Sequence, residues 1–132
     1  MNSWTVTFVC AECGEVAGNV GLATEGELVD LGRPFGMEPT EHASVTLDYF
    51  GIKVVERLPP EKFTRLSLLF ERASPDAKEL NSIYWVPFFC PQCEAVYCRT
   101  HWSPIRHFFE GDDFHDRSEG TCPRGHVSKV DD

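Results

Sequence analysis

Cys90-Pro91-Gln92-Cys93-Glu94-Ala95-Val96-Tyr97-Cys98-Arg99-Thr100-His101 places three cysteines and a histidine within twelve residues. Zinc takes four ligands at tetrahedral corners, and a Cys-x-x-Cys turn offers two thiolates from one tight loop at the right separation. Cys98-Arg99-Thr100-His101 repeats the spacing with an imidazole as second ligand. Outward from this stretch, Cys10-Ala11-Glu12-Cys13 supplies one more pair and Cys122-Pro123-Arg124-Gly125-His126 another. All six cysteines and two of the five histidines therefore fall in metal spacings. Disulfide frameworks have no reason to prefer such spacings, and reducing compartments favour metal roles for cysteine. Eight ligands in four pairs imply two zinc ions per chain.

Two wirings satisfy the pairs. A sequential wiring joins Cys10, Cys13, Cys90 and Cys93 in one site and Cys98, His101, Cys122 and His126 in the other. An interleaved wiring joins Cys10, Cys13, Cys98 and His101, then Cys90, Cys93, Cys122 and His126. The second makes both sites chemically alike, with three thiolates and one imidazole each. Only Glu94-Ala95-Val96-Tyr97 separates Cys93 from Cys98, which suits a tight hairpin whose ends face different metals and favours the interleaved form.

With Tyr97 just before Cys98, this central spacing resembles that of the cross-brace zinc fingers: FYVE, PHD and, more loosely, RING domains. The resemblance implies a binuclear treble-clef-like core. It covers the ligand pairs and little else. The chain departs from those families in the 76 residues between Cys13 and Cys90 and in the three residues between Cys122 and His126. The basic cluster with which FYVE domains bind phosphoinositides is matched only by Arg99. An apolar groove like that of RING ligases has only Trp102 or Ile105 to draw on.

The chain has 132 residues, enough for one domain with a modest core. We read residues 1-132 as a single zinc-binding domain, with 14-89 a β-rich insertion between the first two ligand pairs and 90-132 a zinc-rich C-terminal part. The fold class is α+β, a small β-rich domain with one amphipathic helix. Trp4, Val6 and Phe8 alternate on one face of a strand that runs into the first knuckle. The Gly-rich stretch from Gly18 to Pro39, broken at Gly32, Pro34, Gly36 and Pro39, reads as loops with one or two short strands. Ser44 to Val55 is rich in β-branched and aromatic residues, with a turn at Gly51. Leu58-Pro59-Pro60 ends that run and starts a helix over Glu61 to Ala73, where Phe63, Leu66, Leu69 and Phe70 recur at helical spacing. Ser74-Pro75-Asp76 caps a second short helix with Pro at its first position. Ile83 to Phe89 reads as a strand, and beyond Cys90 regular structure is expected to thin.

Charge narrows the partners. The formal net charge is −9, with 7 basic and 13 acidic side chains up to Phe89 and 5 and 8 beyond it. Nucleic-acid binding needs clustered Lys and Arg, and the only mildly basic stretch is Arg99 to His107. No apolar run approaches a membrane span, and Met1-Asn2-Ser3-Trp4 lacks the basic-then-apolar start of a signal peptide, so a cytosolic location is expected.

Complete sets of four ligands describe structural sites, because a catalytic zinc keeps a position open. Every cysteine is assigned, so none remains as a nucleophile. Three histidines are left over. His115 lies among Asp112, Asp113 and Asp116, which reads as a solvated acidic loop or as a third metal site or base. His107 reads as the rim of the second zinc site, and His42 has no visible partner. Trp102 follows a ligand directly, where its ring shields the metal or anchors a partner. One ring each of Phe88-Phe89 and Phe108-Phe109 is expected at the surface. The functional reading is a protein–protein interaction or adaptor module whose partner surface draws on Arg99, Trp102 and Ile105. The alternatives are a RING-like ligase or accessory subunit of a protein-modification system, and a nucleic-acid-binding zinc ribbon.

Overall fold

Strand β1 (Ser3–Val9) enters the fold with Trp4, Val6 and Phe8 turned inward and Thr5, Thr7 and Val9 exposed, as the alternation predicts. The computed structural model describes residues 3–31, 35–39, 41–72, 74–111 and 114–131. The expected breaks at Gly32 and Pro34 and the acidic pair Asp112 and Asp113 lie outside them. β1 pairs with β2 (Val16–Ala23), and a short hairpin follows, β3 (Leu28–Asp30) and β4 (Met37–Pro39). β5 (Ser44–Tyr49) and β6 (Ile52–Arg57) complete an antiparallel sheet of order β1-β2-β5-β6. Val20, Leu22, Val45, Leu47 and Tyr49 on its inner face are each at most 4 % exposed.

The stretch expected as loops with one or two short strands holds the short β3 and β4, but β2 is more than that. It is a central strand, paired on both sides. Its glycine at position 18 marks a close approach instead of a break. A Cβ built there would lie 2.5 Å from the Phe88 ring, so the absent side chain makes room for an aromatic one. The turn at Gly51 is as expected. Phe50 and Gly51 have φ of 54° and 79°, the left-handed pair that a two-residue hairpin requires.

Helix α1 (Pro60–Arg72) starts at Pro60, where a missing N–H costs nothing. Leu66 is buried, and Phe63 and Phe70 each meet Trp4 with ring centroids 6.5 Å apart. The second helix, α2 (Ala77–Ile83), makes two helices where the fold class counted one. Its cap is Asp76, which accepts the Glu79 N–H at 2.7 Å, and Pro75 precedes the cap.

The strand expected over Ile83 to Phe89 is absent. α2 runs through Ile83, the Val86 N–H goes to Asn81 Oδ1 at 2.9 Å, and Pro87 has no N–H to give, so no ladder forms. Only β7 (Phe89–Cys90) is extended, paired with β8 (Ala95–Val96). Phe88 sits in a turn, which lets both Phe88 and Phe89 be buried, at 0 % and 5 % exposed.

Beyond Cys90 the structure is more regular than expected. A 3-10 turn (Arg99–Trp102) is followed by β9 (Ile105–Glu110), β10 (Phe114–Thr121) and β11 (Val127–Asp131) in a sheet of order β11-β10-β9. The acidic stretch around His115 is thus largely strand: Glu110 ends β9, Gly111 turns the chain, and residues 114–116 begin β10. Phe88 packs onto the first sheet, against Phe8 at 6.0 Å and Tyr49 at 5.7 Å. The Tyr49 hydroxyl donates to Val130 O at 2.9 Å, a buried bond from one sheet to the other.

Candidate metal centres

Three of the four ligand pairs occupy hairpin connections: Cys10 and Cys13 between β1 and β2, Cys90 and Cys93 at β7–β8, and Cys122 and His126 between β10 and β11. A hairpin that folds two ligands onto one point needs a tight reversal. Gly14, Glu94 and Gly125 supply it with φ of 78°, 54° and 88°. At Glu94 a side chain occupies this left-handed position, and its carboxylate is tied to Lys78 at 2.9 Å. The third pair sits on the 3-10 turn, where the N–H groups of His101 and Trp102 both donate to Cys98 O at 3.0 Å. The Ala11 N–H donates to Val96 O at 2.9 Å and lashes the first knuckle to the second.

The pairs converge in two groups: Cys10, Cys13, Cys98 and His101, and Cys90, Cys93, Cys122 and His126, with all ligand atoms of a group within 4.8 Å of one another. This is the interleaved arrangement. In the first group His101 Nδ1 lies 3.4 Å from Cys10 Sγ and 3.3 Å from Cys98 Sγ, and Cys13 and Cys98 sulfurs are 3.7 Å apart. In the second, His126 Nδ1 lies 3.7, 3.3 and 3.4 Å from the sulfurs of Cys90, Cys93 and Cys122, and Cys93 and Cys122 sulfurs are 3.7 Å apart. A tetrahedral ion with Zn–S of about 2.3 Å and Zn–N of about 2.0–2.1 Å sets S–S near roughly 3.7 Å and S–N near roughly 3.5 Å. A disulfide would need about 2.05 Å, and all six cysteines are free. Both groups have the dimensions of a four-ligand cage.

Without a metal, the thiols of each group differ. Burial raises Cys10, but the backbone around Cys98, Cys13 and Glu12 donates to its sulfur and brings it down to about 7. Cys122 reaches about 7 in the same way, its burial outweighed by backbone donors at His126 and Arg124. Burial pushes Cys90 up to about 11. Each group thus holds at least one thiol lowered toward neutrality, and in the first group Cys98 is lowered as well, its burial outweighed by the His101 backbone and ring. The outer surroundings are aromatic. Trp102 is fully buried with its ring edge-on to Tyr97 at 6.0 Å, and its Nε1–H donates to Phe88 O at 3.1 Å. Its burial takes it off the surface, so its expected place on a partner surface is corrected. Arg99 is exposed, Ile105 half-buried and Phe109 59 % exposed.

A family model described as a domain of unknown function, DUF8328, matches residues 2–132. The chain belongs to this family. No curated protein and no solved structure matches it. The leftover histidines of this DUF8328 chain join neither cluster. His42 is exposed ahead of β5, and His107, expected beside the second cluster, instead faces Ser118 together with His115. Sequence spacing gave no sign of that meeting, because a strand irregularity brings it about. Among the described residues no helix is long and apolar enough to cross a membrane.

Proposed function

We propose that the chain is a structural-zinc protein, with two Zn2+ per chain in Cys3His cages, that acts in the cytosol as a protein–protein interaction or adaptor module. The observation that carries the reading is that each cluster already holds four ligand atoms at tetrahedral spacing. Such a site has no open position for substrate or water, so its contribution is folding free energy. Zinc suits thiolate–imidazole sets of this kind. Joining the first pair with the third and the second with the fourth supports the resemblance to cross-brace fingers, and knuckles on hairpins beside a helical turn suit a treble-clef-like core. The partner surface we assign to exposed Arg99, half-buried Ile105 and exposed Phe109, on the sheet and turn that the clusters hold in place.

Elemental analysis of the purified chain is expected to find two zincs, and Cys98→Ser is expected to lose one and lose its fold. Structural zinc contributes about 10–16 kcal/mol in finger peptides, against about 5–15 kcal/mol for the net stability of a whole domain. A stable Cys98→Ser chain with unchanged zinc sinks the structural role. Arg99→Glu and Phe109→Ala are expected to keep both zincs and lose the protein that cross-links to the wild type in its native cell; unchanged cross-links sink the assigned surface.

A further inference from the structure

β9 and β10 bring together ligating side chains that neither cysteine cluster uses. His107 Nδ1 lies 2.6 Å and His115 Nε2 2.9 Å from a single atom, Ser118 Oγ. The two imidazole centroids are 6.0 Å apart, and Phe109 packs edge-on against His115 at 5.7 Å. A β-bulge makes the convergence possible. Side chains alternate along a strand, so residues three apart face opposite sides of a regular sheet. The register of β10 against β9 slips between His115 and Arg117. One extra residue enters, and His115 and Ser118 end on the face that also carries His107. The cations of the hairpin go to the other face. Arg106 and Arg117 both lie over Phe108, at 5.4 and 4.3 Å, and Arg117 is paired with Asp116 and Glu119.

We propose that His107, His115 and Ser118 form a third and exchangeable metal site, for a divalent transition ion of the zinc, cobalt, nickel and copper class. Imidazole is a ligand that these ions share. Two rings bound to one ion at about 2.0–2.1 Å per bond have centroids roughly 5 Å apart. A closure of about 1 Å from the observed 6.0 Å brings both nitrogens onto the metal. Without an ion the serine holds their place, its hydroxyl donating to one ring and accepting from the other. Ser118 is buried and His107 exposed, so an ion enters from the His107 side. A cleft of about 140 Å³ lined by Ile105, His107, Ser118, Val130 and Asp131 lies alongside. Two imidazoles and a hydroxyl leave a fourth position free, and the cleft has room for the water or small anion that fills it. The cysteine clusters are closed and this site is open, so its ion exchanges where theirs do not.

The test is a titration of the zinc-loaded chain with Co2+, whose thiolate sites show strong near-ultraviolet charge transfer and whose imidazole–oxygen sites do not. One further cobalt per chain is expected, with visible d–d absorption, no thiolate band, and shifted His107 and His115 imidazole resonances. His107→Ala and His115→Ala are each expected to weaken it at least tenfold with two zincs retained. His115→Phe keeps an aromatic ring against Phe109 and is expected to lose cobalt equally, which separates ligation from packing. No extra cobalt, binding indifferent to both histidines, or a thiolate band showing that cobalt has displaced zinc would each overturn the site. Zinc content measured on the same samples reports separately on the cysteine clusters.

Discussion

Gly18 and Phe88 divide one volume between them. The strand carries the glycine in mid-sheet, and the ring of a residue seventy positions later lies where its side chain would go. Gly18→Ala is therefore expected to destabilise by about 1–3 kcal/mol, the usual cost of overpacking, read as a lower urea midpoint with an unchanged slope. Phe88→Ala in the same chain should cost about 3–5 kcal/mol, as large aromatic deletions do. The cysteines make a residue-scale prediction of the opposite kind, about protons. In the folded arrangement backbone donors bring Cys10 and Cys122 to about 7 before an ion binds, while burial holds Cys90 at about 11. Metal must displace the remaining protons, so binding releases them and weakens as pH falls. Calorimetry in buffers of different ionisation heat measures the proton count; a count of zero at pH 7 contradicts thiolate ligation.

At the scale of elements, the short helix α2 depends on the residue just before it. Asp76 is its cap, and Asp76→Ala is expected to cost about 1 kcal/mol, seen as a lower melting temperature with zinc content unchanged. How much of these elements could be read in advance varies for physical reasons. The ligand pairs were legible because chelation demands fixed spacings, and β1, α1 and the β5–β6 hairpin because each buries one face and shows its period. β2 was not, because glycine has one signature for two opposite needs: a break in the chain and a place where another group comes close. The β9–β10–β11 sheet was hidden by polar residues such as His115, Arg117 and Glu119, whose alternation carries no apolar signal. Spacing alone left two wirings of the clusters open, since which pairs meet depends on how hairpins far apart in the chain are packed together. The His107–Ser118–His115 meeting was beyond sequence reading for a related reason: an inserted residue reverses the face of everything after it.

For the molecule as a whole, the clusters tie together parts that lie far apart in the chain. The first connects the β1–β2 hairpin to the 3-10 turn, and the second connects β7–β8 to the β10–β11 hairpin. Removing metal with a strong chelator is expected to melt both larger sheets in one transition by circular dichroism, with recovery on adding zinc. Two separate transitions would mean that each sheet stands without the other. The interleaving also sets an order in time. Cys13 waits 85 residues for Cys98, which at about 5–20 residues per second is roughly 4–17 s of translation. Throughout that interval the ribosome carries a nascent chain with a two-thiol claw and nothing for it to close on. On the proposed reading, metal can close the first cluster only late in biosynthesis, and an unfinished chain carries thiols still open to oxidation.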